Sequence, residues 1–379
     1  MSSLNKSELI RYNRHISLPE VGLKGQEKLK AAKVLLIGAG GLGSPILLYL
    51  AASGIGTIGI VDADTVDLSN LQRQIIFNRE DENKSKAEQA AFKVRALSPY
   101  TDVRVFNERF TSTNAKVILD DFDLVIDGTD NFATRYLIND ACVLFKRPLV
   151  YGSIYRFDGQ ATIFDSQNGP CYRCLFPNPP PPEKAPNCSQ AGVLGVLPGQ
   201  IGIIQATETI KYILGIGNSL VGRLLLYDAL KMSFNEIVIP KDPDCPICGS
   251  APKITSLKQE HYSCSIIKDQ KMSDMKSMNV TEYNELRKSK AEHVLLDVRN
   301  DHELEICSIE GNLHIPMDKI PERINEVDKN SKIIVQCKSG GRSAQVGTYL
   351  AANGFEDVTN LEGGILAWID QIDPSQSKY

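Results

Sequence analysis

The chain lacks a surplus of positive charge, an apolar leader and an unbroken hydrophobic run, and each lack removes a class of function. Lys and Arg number 42 against 46 Asp and Glu in 379 residues, and the net charge of −4 gives no reason to expect nucleic acid as a partner. Residues 1–15 have charges spread through them, so they do not read as a signal peptide. Residues 34–61 contain no charge, but seven glycines and Pro45 interrupt them. They read as strand, turn, helix and strand buried in one core, not as a membrane span. A cytoplasmic protein with no membrane partner is expected. Hydrophobic residues at 42% and charged residues at 23% describe an ordinary folded chain, not a disordered one.

Nine cysteines are present, and four of them form two Cys-x-x-Cys pairs. In a cytosolic chain that spacing points to metal or thiol chemistry, not to structural disulfides.

From residue 34 to 239, short β-rich runs alternate with helical patterns, the signature of a mostly parallel sheet wrapped by helices. Strands are expected at 34–38, 57–62 and 124–127, with helices near 43–53, 85–97 and 131–146. Residues 168–186 are rich in proline, with four in a row at 179–182. They read as a loop too irregular to pack like a helix or strand, either mobile or pinned by something else. Residues 251–276 turn polar and Lys/Ser-rich, like a linker. A second unit follows, with helices expected at 281–289 and 343–353 and strands at 293–298 and 332–336.

Gly38-Ala39-Gly40-Gly41-Leu42-Gly43 follows a strand and opens a helix, and Asp62 closes the next strand. Such a loop lets the backbone approach a phosphate at the helix N-terminus. Alone, this is a dinucleotide-binding fingerprint, and an NAD-dependent oxidoreductase is one reading. The surroundings favour phosphate chemistry. Arg73 and Lys86 supply cations for a leaving pyrophosphate, and Asp130 supplies a carboxylate for Mg²⁺.

These motifs resemble the ubiquitin-activating-type superfamily, most closely its molybdopterin-synthase and thiamine-synthesis adenylyltransferases. The match runs through Arg11–Tyr12–Asn13–Arg14–His15, the glycine loop, Asp62–Ala63–Asp64, Ser69–Asn70–Leu71–Gln72–Arg73–Gln74, Lys86 and Thr129–Asp130–Asn131, across about residues 5–250. The resemblance implies ATP as substrate, with Gly41 and Asp62 around the nucleoside and Asn70, Arg73 and Lys86 on the phosphates. It also places Asp64, Ser69, Leu71, Gln72 and Asn131 in the site and Mg²⁺ on Asp130. Arg14 matches an arginine that reaches into the partner subunit's site, which implies a homodimer. The implied partner is a ubiquitin-like sulfur-carrier protein ending in Gly-Gly.

Cys171-Tyr172-Arg173-Cys174 and Cys245-Pro246-Ile247-Cys248 lie about 70 residues apart. Two such knuckles make a closed tetrahedral site, the usual arrangement for structural zinc, and it would pin the foot of the proline-rich loop. The same four positions carry zinc in the resembling enzymes; a redox dithiol or plain buried cysteines are the alternatives. Cys188 lies just before a helix, where a thiol's pKa falls below its free value of about 8.5. Its position resembles that of a cysteine that bonds to the carrier's C-terminus in some relatives. A loop cysteine without a catalytic part is the other reading.

Cys337-Lys338-Ser339-Gly340-Gly341-Arg342 follows the apolar run Ile333-Ile334-Val335 and leads into a helix. Inward backbone N–H groups, the helix N-terminus, Lys338 and Arg342 favour an anion at the centre, such as a thiolate or persulfide. The loop and about residues 276–372 resemble rhodanese sulfurtransferases, which implies that Cys337 carries sulfane sulfur, with Arg342 in the catalytic loop. Asp297 and Arg299 read as structural. The donor is left as a cysteine desulfurase or thiosulfate.

The expected fold is α/β: a Rossmann-like adenylyltransferase domain with a structural zinc site over 1–250, a linker over 251–275 and a smaller α/β rhodanese-like domain over 276–379. The expected activity is adenylylation of the carrier's C-terminal glycine, then sulfur transfer to give a thiocarboxylate. Molybdenum-cofactor synthesis is favoured by resemblance alone; thiamine, cysteine or siderophore carriers would use the same chemistry. A non-catalytic scaffold is the remaining class.

Overall fold

The computed structural model describes residues 3–179, 192–257 and 275–378. Cys188 lies outside the described residues. The chain divides into two compact units, Met1–Cys264 and Ser265–Tyr379.

The first unit is built on an eight-stranded sheet of order β3-β2-β1-β4-β5-β6-β7-β8. Strands β1 (Lys33–Ile37), β2 (Thr57–Val61), β3 (Asp102–Phe106), β4 (Leu124–Asp127) and β5 (Leu149–Tyr155) run parallel. Their apolar runs are nearly continuous because both faces are covered. Val34 and Leu36 enter one core, with Ile46, Leu47 and Leu50 of helix Gly43–Ser53, Ala90 and Val94 of helix Lys86–Leu97, and Ile201 of helix Leu197–Leu214. Leu35 and Ile37 enter the other, with Tyr136, Leu137 and Ile138 of helix Phe132–Leu144. Each fully buried leucine contributes roughly 1.5–3 kcal/mol relative to exposure.

The expected elements reappear within one or two residues at most ends, as fraying allows. Ser85 lies outside its helix as the N-cap, its side chain accepting from the Glu88 N–H. One feature differs. Strands β6 (Asp158–Phe164), β7 (Arg223–Asp228) and β8 (Ser233–Val238) extend the sheet antiparallel. Short turns join β5 to β6 and β7 to β8, which only antiparallel neighbours permit. The edge strand β8 is largely exposed, with Phe234, Ile237 and Val238 facing solvent.

The second unit holds a five-stranded parallel sheet of order β11-β10-β12-β13-β9. The strands are β9 (Lys276–Met278), β10 (Val294–Asp297), β11 (Asn312–His314), β12 (Ile333–Gln336) and β13 (Val358–Leu361). Leu296, Val335, Val346 and Leu350 form the core on one face; Tyr283, Ile334, Ile365 and Trp368 form it on the other. Among the described residues, no helix is long and apolar enough to cross a membrane.

Candidate active sites

Register places three loops side by side at the C-terminal edge of the first sheet. Ile37 of β1 pairs with Val61 of β2 and with Asp127 of β4, so Gly38, Asp62 and Gly128 leave three neighbouring strands together. Strand order reverses between β1 and β4, the crevice where such sheets bind ligands. Gly38 has φ of 93°, and a Cβ there would sit 2.8 Å from the Gly128 carbonyl group. Only glycine lets these two loops touch.

Asp62 accepts from the Ala39 N–H at 2.8 Å and the Asp64 N–H at 2.9 Å. Burial raises its carboxyl above the ordinary range, against these two donors and the Lys86 ammonium. Lys86 is buried, and its ammonium meets the exposed Asp64 carboxylate at 3.3 Å. Opposite, the turn over residues 69–74 lies along the glycine loop. A Cβ on Gly41 would meet Arg73 Cγ at 3.5 Å and Pro198 Cβ at 3.0 Å. Arg73 donates to the Ser69 carbonyl at 3.1 Å.

Several expected residues have local structural tasks. Ser69 donates to Asp67, and the Asn70 amide oxygen accepts from the Asp67 N–H. Leu71 packs on the core, while the Gln72 carbonyl lies where a Cβ on Gly195 would strike it. Asn131 caps helix Phe132–Leu144 by accepting from the Thr134 N–H at 2.9 Å. Asp130, exposed just before that cap, has no side-chain partner among the described residues. No hydrogen bond or ion pair joins Arg14 to this cluster among the described residues. Two residues away, Tyr12 packs against Gly54, which ends helix Gly43–Ser53. That helix of 11 residues separates Gly54 from the glycine loop by about 16 Å.

Sequence reading missed the support beneath Asp130. Asp127, fully buried, accepts from the Thr129 N–H at 2.8 Å, the Thr129 hydroxyl at 2.6 Å and Arg135 Nε at 3.2 Å. Gln205 reaches from helix Leu197–Leu214 to the Asp127 carbonyl at 2.8 Å. An arginine within a helical pattern gives no sign that it faces inward.

The four knuckle cysteines come together. Cys171 and Cys245 sulfurs are 3.5 Å apart, Cys174 and Cys248 3.4 Å, and Cys171 and Cys174 4.0 Å. All four lie within 4.8 Å of one another. Sulfurs about 2.3 Å from a tetrahedral metal would be about 3.8 Å apart, so this cluster could bind one ion. Hydrogen bonds between the thiols, with Cys171 and Cys174 the leading pair, drive Cys174 below the ordinary thiol range and Cys171 above it.

In the second unit Cys337 directly follows β12, 1% exposed. The Gly340 N–H donates to its sulfur at 3.1 Å and the Ser343 hydroxyl at 3.2 Å. Arg342 closes a two-pronged ion pair with Glu303, both contacts 2.7 Å. Glu303 is thus a loop partner that sequence reading did not identify. Asp297 and Arg299 form a buried pair at 2.7 Å beneath it, and Arg299 also donates to the Glu303 carbonyl at 3.3 Å.

Residues 12–247 match the ThiF family model and 279–371 the rhodanese-like domain model. The chain belongs to the ThiF family. Its ThiF unit is followed by a rhodanese-like unit, the arrangement of a relative described as "Probable adenylyltransferase/sulfurtransferase MoeZ" from Mycobacterium tuberculosis. That protein is 45% identical over 386 residues, spanning 100% of this chain and 97% of the relative. A "Sulfur carrier protein adenylyltransferase" from Thermus thermophilus is 49% identical over 69% of this chain and 98% of its own length. The ThiF fold recurs in a crystal structure of E. coli MccB with ATP. Its TM-score is 0.56 at 21% identity, covering 65% of this chain and 75% of that one.

Proposed function

We propose that this enzyme uses ATP to adenylylate the C-terminal glycine of a ubiquitin-like sulfur-carrier protein and then transfers sulfur to it from a persulfide on Cys337. One observation carries the reading: Asp62, Lys86, Arg73 and the glycine loop converge at a strand-order reversal, on the same chain as a Cys337 sulfur enclosed by hydrogen-bond donors.

The ThiF unit activates the tail. Asp62 holds the ribose, Gly41 lets the backbone approach the nucleotide, and Lys86 and Arg73 hold the phosphates, with Asn70 beside them. Lys86 leaves Asp64 for the triphosphate, a stronger anion. Asp130, exposed beside Gly128 and free of side-chain partners among the described residues, is the carboxylate for Mg²⁺. Mg²⁺ held there with the nucleotide would supply positive charge against the charge that develops as pyrophosphate leaves. A carboxylate becomes a mixed anhydride with AMP as leaving group. Thiolate sulfurs at tetrahedral spacing suit Zn²⁺, held by Cys171, Cys174, Cys245 and Cys248 to tie distant parts of the unit together.

The persulfide anion on Cys337 attacks the acyl-adenylate carbonyl and AMP departs. The acyl disulfide so formed is reduced by two thiols, which become a disulfide, releasing the thiocarboxylate and the Cys337 thiolate. Tethering through residues 251–275, between an adenylyltransferase domain over 1–250 and a sulfurtransferase domain over 276–379, raises the nucleophile's local concentration. Cys188 is a candidate for a covalent step with the carrier. The exposed apolar edge of β8 suits the carrier's body.

By the resemblance of its position, Arg14 completes the partner subunit's site in a homodimer. A cysteine desulfurase or thiosulfate supplies the sulfur. The setting is the cytoplasm and molybdenum-cofactor biosynthesis, with thiamine, cysteine or siderophore carriers as the alternatives. The test is to incubate the purified full chain with ATP, Mg²⁺, thiosulfate, a thiol reductant and candidate carriers ending in Gly-Gly, then weigh the carriers. One carrier should gain the mass difference between sulfur and oxygen. Absence of ATP binding and of AMP formation with every carrier would refute the reading.

A further inference from the structure

The Ser343 hydroxyl lies 3.2 Å from Cys337 Sγ and 3.0 Å from the Gly340 carbonyl oxygen. Ser343 is 0% exposed and Cys337 1%, so water does not share these contacts freely. A hydroxyl carries one proton and can donate to one of the two acceptors at a time. Serine in a first helical turn often bonds back to a carbonyl. The sulfur contact goes beyond that habit.

We propose that Ser343 is a catalytic residue of the sulfur-transfer step, donating to Cys337 Sγ when that atom is a thiolate and turning to the Gly340 carbonyl once sulfur is loaded. The proposal rests on the reading of Cys337 as sulfur carrier and deepens it. With thiosulfate, the Cys337 thiolate attacks the sulfane sulfur; the Sγ–S bond forms, the donor's S–S bond breaks, and sulfite leaves with the bonding pair. There is no net oxidation. Negative charge moves from Sγ to the outer sulfur, about 2 Å further out. Sγ is then a neutral, weakly accepting sulfur. The Gly340 carbonyl is the better acceptor, and the hydroxyl swings to it.

Delivery reverses the change. After the acyl disulfide has formed, one thiol attacks the outer sulfur and breaks its bond to Sγ; a second thiol then attacks the first thiol's sulfur, releasing the carrier's thiocarboxylate and leaving the two thiols joined as a disulfide. Sγ departs as thiolate, and Ser343 again donates to it. Ser343 therefore assists Cys337 both as nucleophile and as leaving group, while the Gly340 N–H keeps its place at 3.1 Å throughout.

Charged groups around this sulfur stay constant in the comparison. They are Lys338 and Arg342 in the loop, Glu303 against Arg342, the Asp297–Arg299 pair with His314 bonded to the Arg299 carbonyl, and Glu362 on the adjoining turn.

The test uses the full chain, with iodoacetamide alkylation of the Cys337 peptide followed against pH and sulfur loading from thiosulfate followed by mass. Ser343→Ala is expected to move the alkylation midpoint up by about one pH unit, as loss of a hydrogen bond to a charged group implies. Loading at neutral pH should fall about tenfold. ATP–pyrophosphate exchange should not change. Ser343→Thr, which keeps the hydroxyl, should restore the wild-type midpoint. A wild-type profile in Ser343→Ala, or equal shifts in both variants, overturns the proposal. A wild-type chain that takes no sulfur at Cys337 would instead remove the underlying reading.

Discussion

Arg173, set between two of the clustered cysteines, closes a two-pronged ion pair onto Asp140 of helix Phe132–Leu144, at 2.7 and 2.8 Å. Both residues are buried. The same helix grips the knuckle twice more: Asn139 accepts from the Tyr172 N–H at 2.8 Å, and the Tyr136 hydroxyl donates to the Asn178 carbonyl at 2.7 Å. Its N-terminus begins beside Asp130. One helix therefore joins the cysteine cluster, the foot of the proline-rich loop and the nucleotide crevice.

Arg173→Met should destabilise the ThiF unit by about 3–5 kcal/mol, because it strands the Asp140 charge in the core. Pairing it with Asp140→Leu should recover much of that loss. Urea unfolding of both variants measures this; a single variant as stable as wild type would mean that the pair contributes little. Native mass spectrometry of the wild type should find one metal ion per chain, and an apo chain would count against the cluster as a metal site.

Asp130→Ala should abolish ATP–pyrophosphate exchange, and Lys86→Met should lower it by a factor of about 100 or more, the usual cost of removing a preorganised group from a charged transition state. Melting curves act as the control. Exchange at the wild-type rate in Asp130→Ala would remove the Mg²⁺ assignment.

Burial raises the Asp62 pKa, and this makes two opposite pH trends. A carboxyl raised in the fold contributes stability that is complete below its unfolded pKa of about 3.9 and lost as pH climbs through the raised value. The nucleotide-free chain should carry that downward component in its melting temperature. ATP affinity should run the other way, since only ionised Asp62 accepts strongly from ribose hydroxyls. Asp62→Asn should remove both components; matching pH profiles in variant and wild type would argue against this role.

Mixing inactive Arg14→Ala with inactive Arg73→Ala should restore exchange activity, because a hybrid dimer holds one site with both arginines intact. Recovery is absent if Arg14 serves its own chain.

Much of the fold was legible because its signals are local. The apolar run at β1, the glycine loop and helix Gly43–Ser53 follow from short-range sterics and periodicity. The helix expected near 85–97 and the Cys337 loop after β12 belong to the same class. The antiparallel extension β6–β8 was not legible. Alternating residues there resemble any half-buried strand, and direction is set by partners far along the chain.

Residue identity and order alone fixed which chemical groups this protein owns: a phosphate loop, cations, carboxylates, four knuckle thiols and a thiol before a helix. Folding decided which of them meet. Asn131 became a helix cap, Arg342 found Glu303, and Arg135 turned inward to hold Asp127 beneath the loop of Asp130. Such choices depend on burial and on donor–acceptor geometry between segments tens of residues apart. A one-dimensional pattern carries no record of them until the chain closes on itself.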